Sequence, residues 1–295
     1  MQEQSTNDPR EQYKPGEIPE QRQDEPGLDS KLKPLADHGA QHYQGSNRLT
    51  GRKALITGGD SGIGRAVAIA FAKEGADVAV AYLPSEQSDA DDLAKEIEST
   101  GQKIYLLPGD LTDESYARQL VHDAYKQLGG LDIVVNNAGK QIYNDNVTTI
   151  PTKQLIDTFT VNIIAMFWIV QEALTYLSAG ATIINTSSIQ ATQPSPGLLD
   201  YAATKGAITN FTRGLAQQLT PKGIRVNAVA PGPIWTPLQP SYGQSMEKLT
   251  KFGKDTPLGR PGQPAELAGA YVFLASQEAS YVSGEVIGVT GGELR

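Results

Sequence analysis

Residues 53–75 read KALITGGDSGIGRAVAIAFAKEG. The run 53–57 (KALIT) is short, aliphatic and β-branched, as suits a strand buried on both faces. It ends at Gly58, and glycines recur at 62 and 64 in the spacing G-x-x-x-G-x-G. Apolar side chains then return at helical intervals, which predicts a helix over 63–74. The first glycine permits a sharp turn. The later two let an anion approach free backbone N–H groups at a helix N-terminus, where the helix dipole also favours negative charge. A strand, such a turn and a helix in succession predict a pyrophosphate site, and hence dinucleotide binding, at the first βα turn of a parallel sheet.

The alternation continues down the chain. Runs at 77–83, 103–107, 131–135, 181–186, 224–230 and 285–289 read as further strands. Helical patterns near 86–99, 113–128, 152–178, 201–220 and 264–275 lie between most of them. The expected fold is α/β: a single doubly wound Rossmann-type domain over 46–295, its seven-stranded parallel sheet covered by helices on both faces. Residues 1–45 differ in kind, with prolines at 9, 15, 19, 26 and 34 and almost no aliphatics. Such a segment buries too little apolar surface to offset its ordering entropy. It reads as a flexible or extended N-terminal arm, either a solubilising tail or an arm packed on a neighbouring subunit.

Composition narrows the classes. The 295 residues carry 25 basic and 33 acidic side chains, a net charge of −8. That sign repels phosphate backbones, so no nucleic-acid partner is expected. No stretch approaches the roughly 18 apolar residues of a membrane span, and none is expected. The opening MQEQSTNDPREQYK has no apolar core of a secretory signal. With no cysteine there are no disulfides or thiolate ligands. These readings together favour the cytoplasm. His38, His42 and His122 are scattered, and no metal site is expected.

Further motifs follow the glycine loop: NNAG at 136–139, NTSS at 185–188, YAATK at 201–205 and APGPIWT at 230–236. On a helix Tyr201 and Lys205 share one face. The spacing alone fits a half-buried tyrosine beneath a solvated lysine as well as a proton-transfer pair. Taken together and in this order, the motifs resemble the short-chain dehydrogenase/reductase family over about residues 50–295. The wording TGGDSGIG, SSIQA and APGPIWTPL, with the Pro/Gln-rich arm, is similar to its bacterial subgroup called general stress protein 39-like, or glucose and ribitol dehydrogenase-like.

The resemblance implies an NAD(P)-dependent oxidoreductase that moves a hydride between the nicotinamide and a small carbonyl or alcohol: an aldehyde, a ketone or a polyol or sugar. Tyr201 is the implied acid/base. Lys205 lowers its pKa and holds the nicotinamide ribose, Ser188 orients the substrate oxygen, and Asn162 places a water in the proton relay. Lowering a phenol by roughly 3 units takes about 4 kcal/mol of preferential phenolate stabilisation, for which a nearby ammonium is a plausible source. The implied cofactor contacts are Gly58, Asp60, Ser61, Gly62, Ile63 and Gly64 in the loop, then Tyr82, Leu83, Asp110 and Leu111. Asn137, Ala138 and Gly139 follow, with Tyr201, Lys205, Pro231, Gly232, Ile234 and Thr236. Whether NAD or NADP is used stays open, because Tyr82 stands where a carboxylate would select NAD and no arginine marks NADP. Gln141, Gln190 and Trp235 are candidates for the substrate pocket, and 237–262 reads as a lid. Family likeness also implies a homo-oligomer, a tetramer before a dimer. The alternative is a non-catalytic NAD(P)-binding sensor of the same fold. Enoyl reductases resemble the chain too, but space their Tyr and Lys more widely.

Overall fold

The computed structural model describes residues 8–293; the first seven residues of the arm and the last two of the domain lie outside it. Seven strands form one parallel sheet: β1 (Lys53–Thr57), β2 (Asp77–Tyr82), β3 (Ile104–Pro108), β4 (Ile133–Asn136), β5 (Thr182–Thr186), β6 (Arg225–Pro231) and β7 (Val286–Val289). Their order is β3-β2-β1-β4-β5-β6-β7. In register, Leu55 lies beside Ala79 on one side and Val134 on the other. The chain therefore builds outward from β1 in one direction, returns, and continues from β4 in the other, opening a crevice where the order reverses.

Alternation along each strand divides the core. Ile56, Val80, Val135 and Val229 face α1 (Gly62–Lys73), α2 (Gln87–Glu98) and α8 (Ala265–Ala275). Leu55, Ala79, Val134 and Val226 face α3 (Glu114–Leu128), α5 (Ala165–Ala173) and α6 (Leu199–Leu219). Complete burial of a side chain such as Phe71 on α1 contributes about 1.5–3 kcal/mol. α3 starts on Asp113, whose carboxylate accepts the Ser115 N–H, and stops at Gly129 in the left-handed region (φ 69°).

The 152–178 helix is not continuous. It comprises α4 (Thr152–Phe159), a π turn over Thr160–Ile164 and α5. The interruption falls at Asn162, whose amide is drawn toward the Lys140 backbone and Thr204. By length and composition the run Thr152–Ala173 is apolar enough to cross a membrane, contrary to the expectation that no stretch approached this. Here it packs on α3 and α6. The segment 237–262 holds an irregular turn (Gln239–Gly243), with Tyr242 in the left-handed region (φ 67°), and the short α7 (Met246–Leu249).

Residues 8–45 contain no strand and one 3-10 turn, Asp29–Lys31. They lie against the domain of their own chain. A few apolar anchors suffice. Ile18 and Leu32 pack with Trp235, Leu249 and Phe252, and Trp235 Nε1 donates to Pro34 O at 2.8 Å. Arg260 reaches Pro9 O, Arg22 reaches Gln244 O, and the buried Glu74 carboxylate takes the Tyr43 hydroxyl and the Arg48 guanidinium.

Candidate functional site

A cleft of about 1170 Å³ opens at the carboxyl ends of the strands, across the β1/β4 reversal. That exceeds the roughly 300–1,000 Å³ of pockets for drug-sized ligands. One wall is the glycine loop. Gly58 (φ 60°) and Gly62 (φ 49°) take a backbone conformation that other residues rarely adopt. Gly64 lies beneath, where a Cβ would meet Gly58 O at 1.9 Å. Asn137 Nδ2 clamps the loop from β4, donating to Thr57 O and Gly58 O.

At the other end, α6 carries Tyr201 and Lys205 one helical turn apart. Both are buried, and Lys205 Nζ lies 5.3 Å from the Tyr201 ring centroid. Its ammonium donates to Thr186 O at 2.8 Å, at the end of β5. Burial pushes the Tyr201 phenol up to about 12, against a hydrogen bond with Ser188 that pulls it down. Burial also brings Lys205 down to about 7. Ser187 and Ser188 part as alternation requires. Ser187 Oγ is spent on Lys205 O and Thr209, while Ser188 stays with Tyr201 and caps the Gln190 N–H.

Most of the anticipated residues line this cleft: Gly58, Asp60, Ser61, Gly62, Ile63, Tyr82, Leu83, Asp110, Leu111, Asn137, Ala138, Gly139, Gln141, Ser188, Gln190, Tyr201, Lys205, Pro231, Gly232, Ile234 and Thr236. Three do not. Gly64 supports the loop from below. Asn162 is fully buried behind the wall; its Nδ2 protons go to Lys140 O and Thr204 Oγ1, and its Oδ1 accepts from Lys140 N. Its side chain thus holds the Lys140 loop and the turn before Lys205, with no N–H left for a water. Trp235 is the larger correction. It is wholly buried under the arm, and its indole N–H is consumed by Pro34 O, so it is no part of the pocket. The two glutamines are partly committed as well, Gln141 to Gly243 O and Gln190 to the Ser195 N–H.

Sequence reasoning missed the arm's share. Glu25, Pro26 and Gly27 line the cleft, and Glu25 pairs with Lys140 at 2.8 Å. Beside them Asp29 Oδ2 accepts the Gly62 N–H at 2.8 Å, within the glycine loop itself. His38 Nε2 lies 2.9 Å from the same oxygen without the alignment of a hydrogen bond. Asp60 is buried with Oδ2 unpartnered; burial, then the charges of Glu86 and Asp29, raise its pKa well above the carboxylate range. Glu86 is raised to about 7, chiefly by burial. No motif joins these residues, which come from three separate segments.

Comparison with known proteins fits this geometry. A family model described as enoyl-(acyl carrier protein) reductase matches residues 58–293. The chain is 60% identical over 286 residues to the uncharacterized oxidoreductase YghA of Escherichia coli (strain K12), covering 97% of each. It is 49% identical to general stress protein 39 of Bacillus subtilis (strain 168), over 94% of this chain and 97% of the relative. It is 44% identical to the glucose and ribitol dehydrogenase of Daucus carota, over 95% and 98%. Among solved structures, a short chain dehydrogenase from Burkholderia cenocepacia J2315 in complex with NADP superposes with a TM-score of 0.77 at 33% identity, over 83% of this chain and 98% of the other.

Proposed function

Because the chain belongs to the short-chain dehydrogenase/reductase family, we propose that it interconverts a carbonyl and an alcohol in a small aldehyde, ketone or polyol, using NAD or NADP. The observation that carries this reading is the placement of Tyr201, hydrogen-bonded to Ser188 and stacked one turn from Lys205, inside the cleft that the glycine loop closes. The loop suits a nicotinamide dinucleotide. Its glycines leave a cradle without side chains, and a Cβ at Gly62 would crowd Thr236 at 3.1 Å. Gly58, Ser61 and Ile63 would hold the pyrophosphate beside Gly62, whose own N–H goes to Asp29; Asp110 and Leu111 would hold the adenine, and Ile234 and Thr236 the carboxamide. Bound there, the nicotinamide ring supplies or accepts the hydride.

The chain's own residues supply the rest. With its pKa at about 12, Tyr201 is fully protonated near neutrality, the form needed to give a proton to a carbonyl oxygen. Ser188 Oγ stands beside it to donate a hydrogen bond to that oxygen as its charge grows. Lys205, fixed by Thr186 O and brought to about 7 by burial, is half charged near neutrality, and the phenolate left behind would favour its protonated form. Asn162 acts through its bonds to Lys140 and Thr204, keeping the floor under Lys205 in place. The one-turn separation of Tyr201 and Lys205 favours carbonyl reduction over the enoyl reduction named by the family model. A polyol or sugar as substrate draws support from the carrot relative's name and from Gln141 and Gln190 on the cleft wall.

We also propose a homotetramer. Ile156, Ile164, Phe167 and Leu199 are large apolar side chains left exposed on α4, the π turn, α5 and α6. Light scattering should give four times the chain mass, and a monomer mass would refute this. For the reaction, a matrix of NADH and NADPH against aldehydes, ketones and aldoses, followed by absorbance of the reduced cofactor, is the test. Activity on some carbonyl that disappears in Y201F supports the reading; full turnover in that variant overturns it.

A further inference from the structure

We infer that the N-terminal arm completes the cofactor site, and that its Asp29, with Asp60 and Glu86, selects the dinucleotide whose adenosine 2′ position is a free hydroxyl over the one bearing a 2′-phosphate. The inference rests on the dinucleotide reading above and deepens it. Tyr82 occupies the end of β2, where a carboxylate would ordinarily make this choice. Here the carboxylates arrive from elsewhere. Asp60 comes from the glycine loop and Glu86 from the turn after β2, and both line the cleft. Asp29 comes from the arm, fastened to the Gly62 N–H by Oδ2 and held in turn by Asp89, whose Oδ2 accepts the Asp29 N–H at 2.6 Å.

Two features point to a ligand. Asp60 lines the cleft, is 1% exposed and keeps Oδ2 without a partner. A ribose hydroxyl is a donor of the kind that oxygen lacks. Second, of the described residues lining the cleft between Gly58 and Thr112, none is a lysine, arginine or histidine. The nearby cations are directed elsewhere. Arg65 turns to Glu96 and to Asp89 O, and His38 stands at Asp29. The lysines of the cleft, 140, 153, 205, 248, 251 and 254, come from later segments of the chain. A 2′-phosphate of about −1.5 to −2 charge at pH 7 would thus find no compensating cation, and would add its charge to a cluster of carboxyls already crowded enough to retain protons, in a recess where water screens weakly. This would separate the chain from its NADP-bound structural neighbour.

The test is direct binding, read from the fluorescence of NADH and NADPH titrated onto the full chain at fixed ionic strength. Wild type should bind NADH tighter than NADPH by roughly tenfold or more, and D29N should narrow that ratio several-fold without lowering NADH affinity as much as it raises NADPH affinity. E86Q carries the same expectation should D29N melt early. Equal or tighter NADPH binding by wild type, or a ratio unmoved in both variants, overturns the inference. Failure of both nucleotides to bind would instead overturn the dinucleotide reading.

Discussion

At the Tyr201 end of the cleft, the polar groups come from two neighbouring stretches, 186–188 and 201–205, joined by one short connection. At the Asp60 end they come from the arm, the glycine loop and the turn after β2; Asp29 meets Gly62 across 33 positions and Asp89 across 60. The first end rests on the terminus of β5, paired on both sides in the sheet, and on the long α6. The second is assembled by an extended segment whose grip depends on anchors placed far along the sequence. On the proposed function, the contrast puts proton chemistry on rigid local scaffolding and shares nucleotide recognition with a strap. Rigid elements hold a reacting group to the tolerance that chemistry demands; a bound ribose accepts more adjustment.

Substitutions should separate the two ends. The largest effect is expected for Tyr201→Phe, which removes the proton donor while keeping the ring: turnover should fall by roughly 10²–10⁴ with nucleotide affinity unchanged, measured by steady-state rates and fluorescence titration. Trp235→Ala should act through the arm. It deletes a fully buried indole and its bond to Pro34 O, so denaturant unfolding should show a loss of about 3–5 kcal/mol, and nucleotide binding should weaken as the arm loosens. If Y201F loses binding or W235A leaves it intact, the division of labour fails.

A pH series sharpens the Tyr201 end. Lys205 falls from 10.5 to about 7 on burial, so between those values the unfolded chain binds a proton that the folded chain does not. Stability of the ligand-free protein should therefore be greatest, as far as Lys205 decides it, above pH 10.5 and should decline as pH falls toward 7. Lys205→Met should flatten that slope in denaturation curves between pH 7 and 10. The smallest effect is expected for Glu25→Gln, which breaks a partly exposed pair with Lys140. It should cost about 0.2–1 kcal/mol, and this loss should shrink in high salt.

The same contrast explains what the sequence could reveal. The strands were legible because a sheet covered on both faces demands unbroken apolar runs, and Ala54–Ile56 or Val78–Ala81 meet that demand openly. Edges slipped by a residue or two where polar side chains flank the strand: Asp132, just before β4, gives its carboxylate as acceptor to the Lys53 N–H. The break at Asn162 escaped notice because a π turn changes backbone pairing without altering the apolar pattern. The glycine loop and the Tyr201/Lys205 pair carry fixed spacings and could be found. Asp29 could not, since one acid among the nine in residues 1–50 bears no mark of its distant partner. Trp235 misled for a related reason. Its neighbours Ile234 and Thr236 do line the cleft, but alternation turns the indole away, beneath an arm whose few aliphatics gave no hint of a dock.

The arm's docking also bears on when the protein becomes complete during synthesis. Pro34 leaves the ribosome early, yet its partner Trp235 follows 201 residues later, and Arg260 follows Pro9 by 251. Most of the sheet can be in place before the strap has anything to grip. Closing so long a loop costs only slightly more than closing a shorter one, so the delay lies in translation rather than in search. A nascent chain halted before Trp235 would carry the glycine loop and the Tyr201 helix with an unfastened leader. Full nucleotide retention should then mark the release of nearly finished chains.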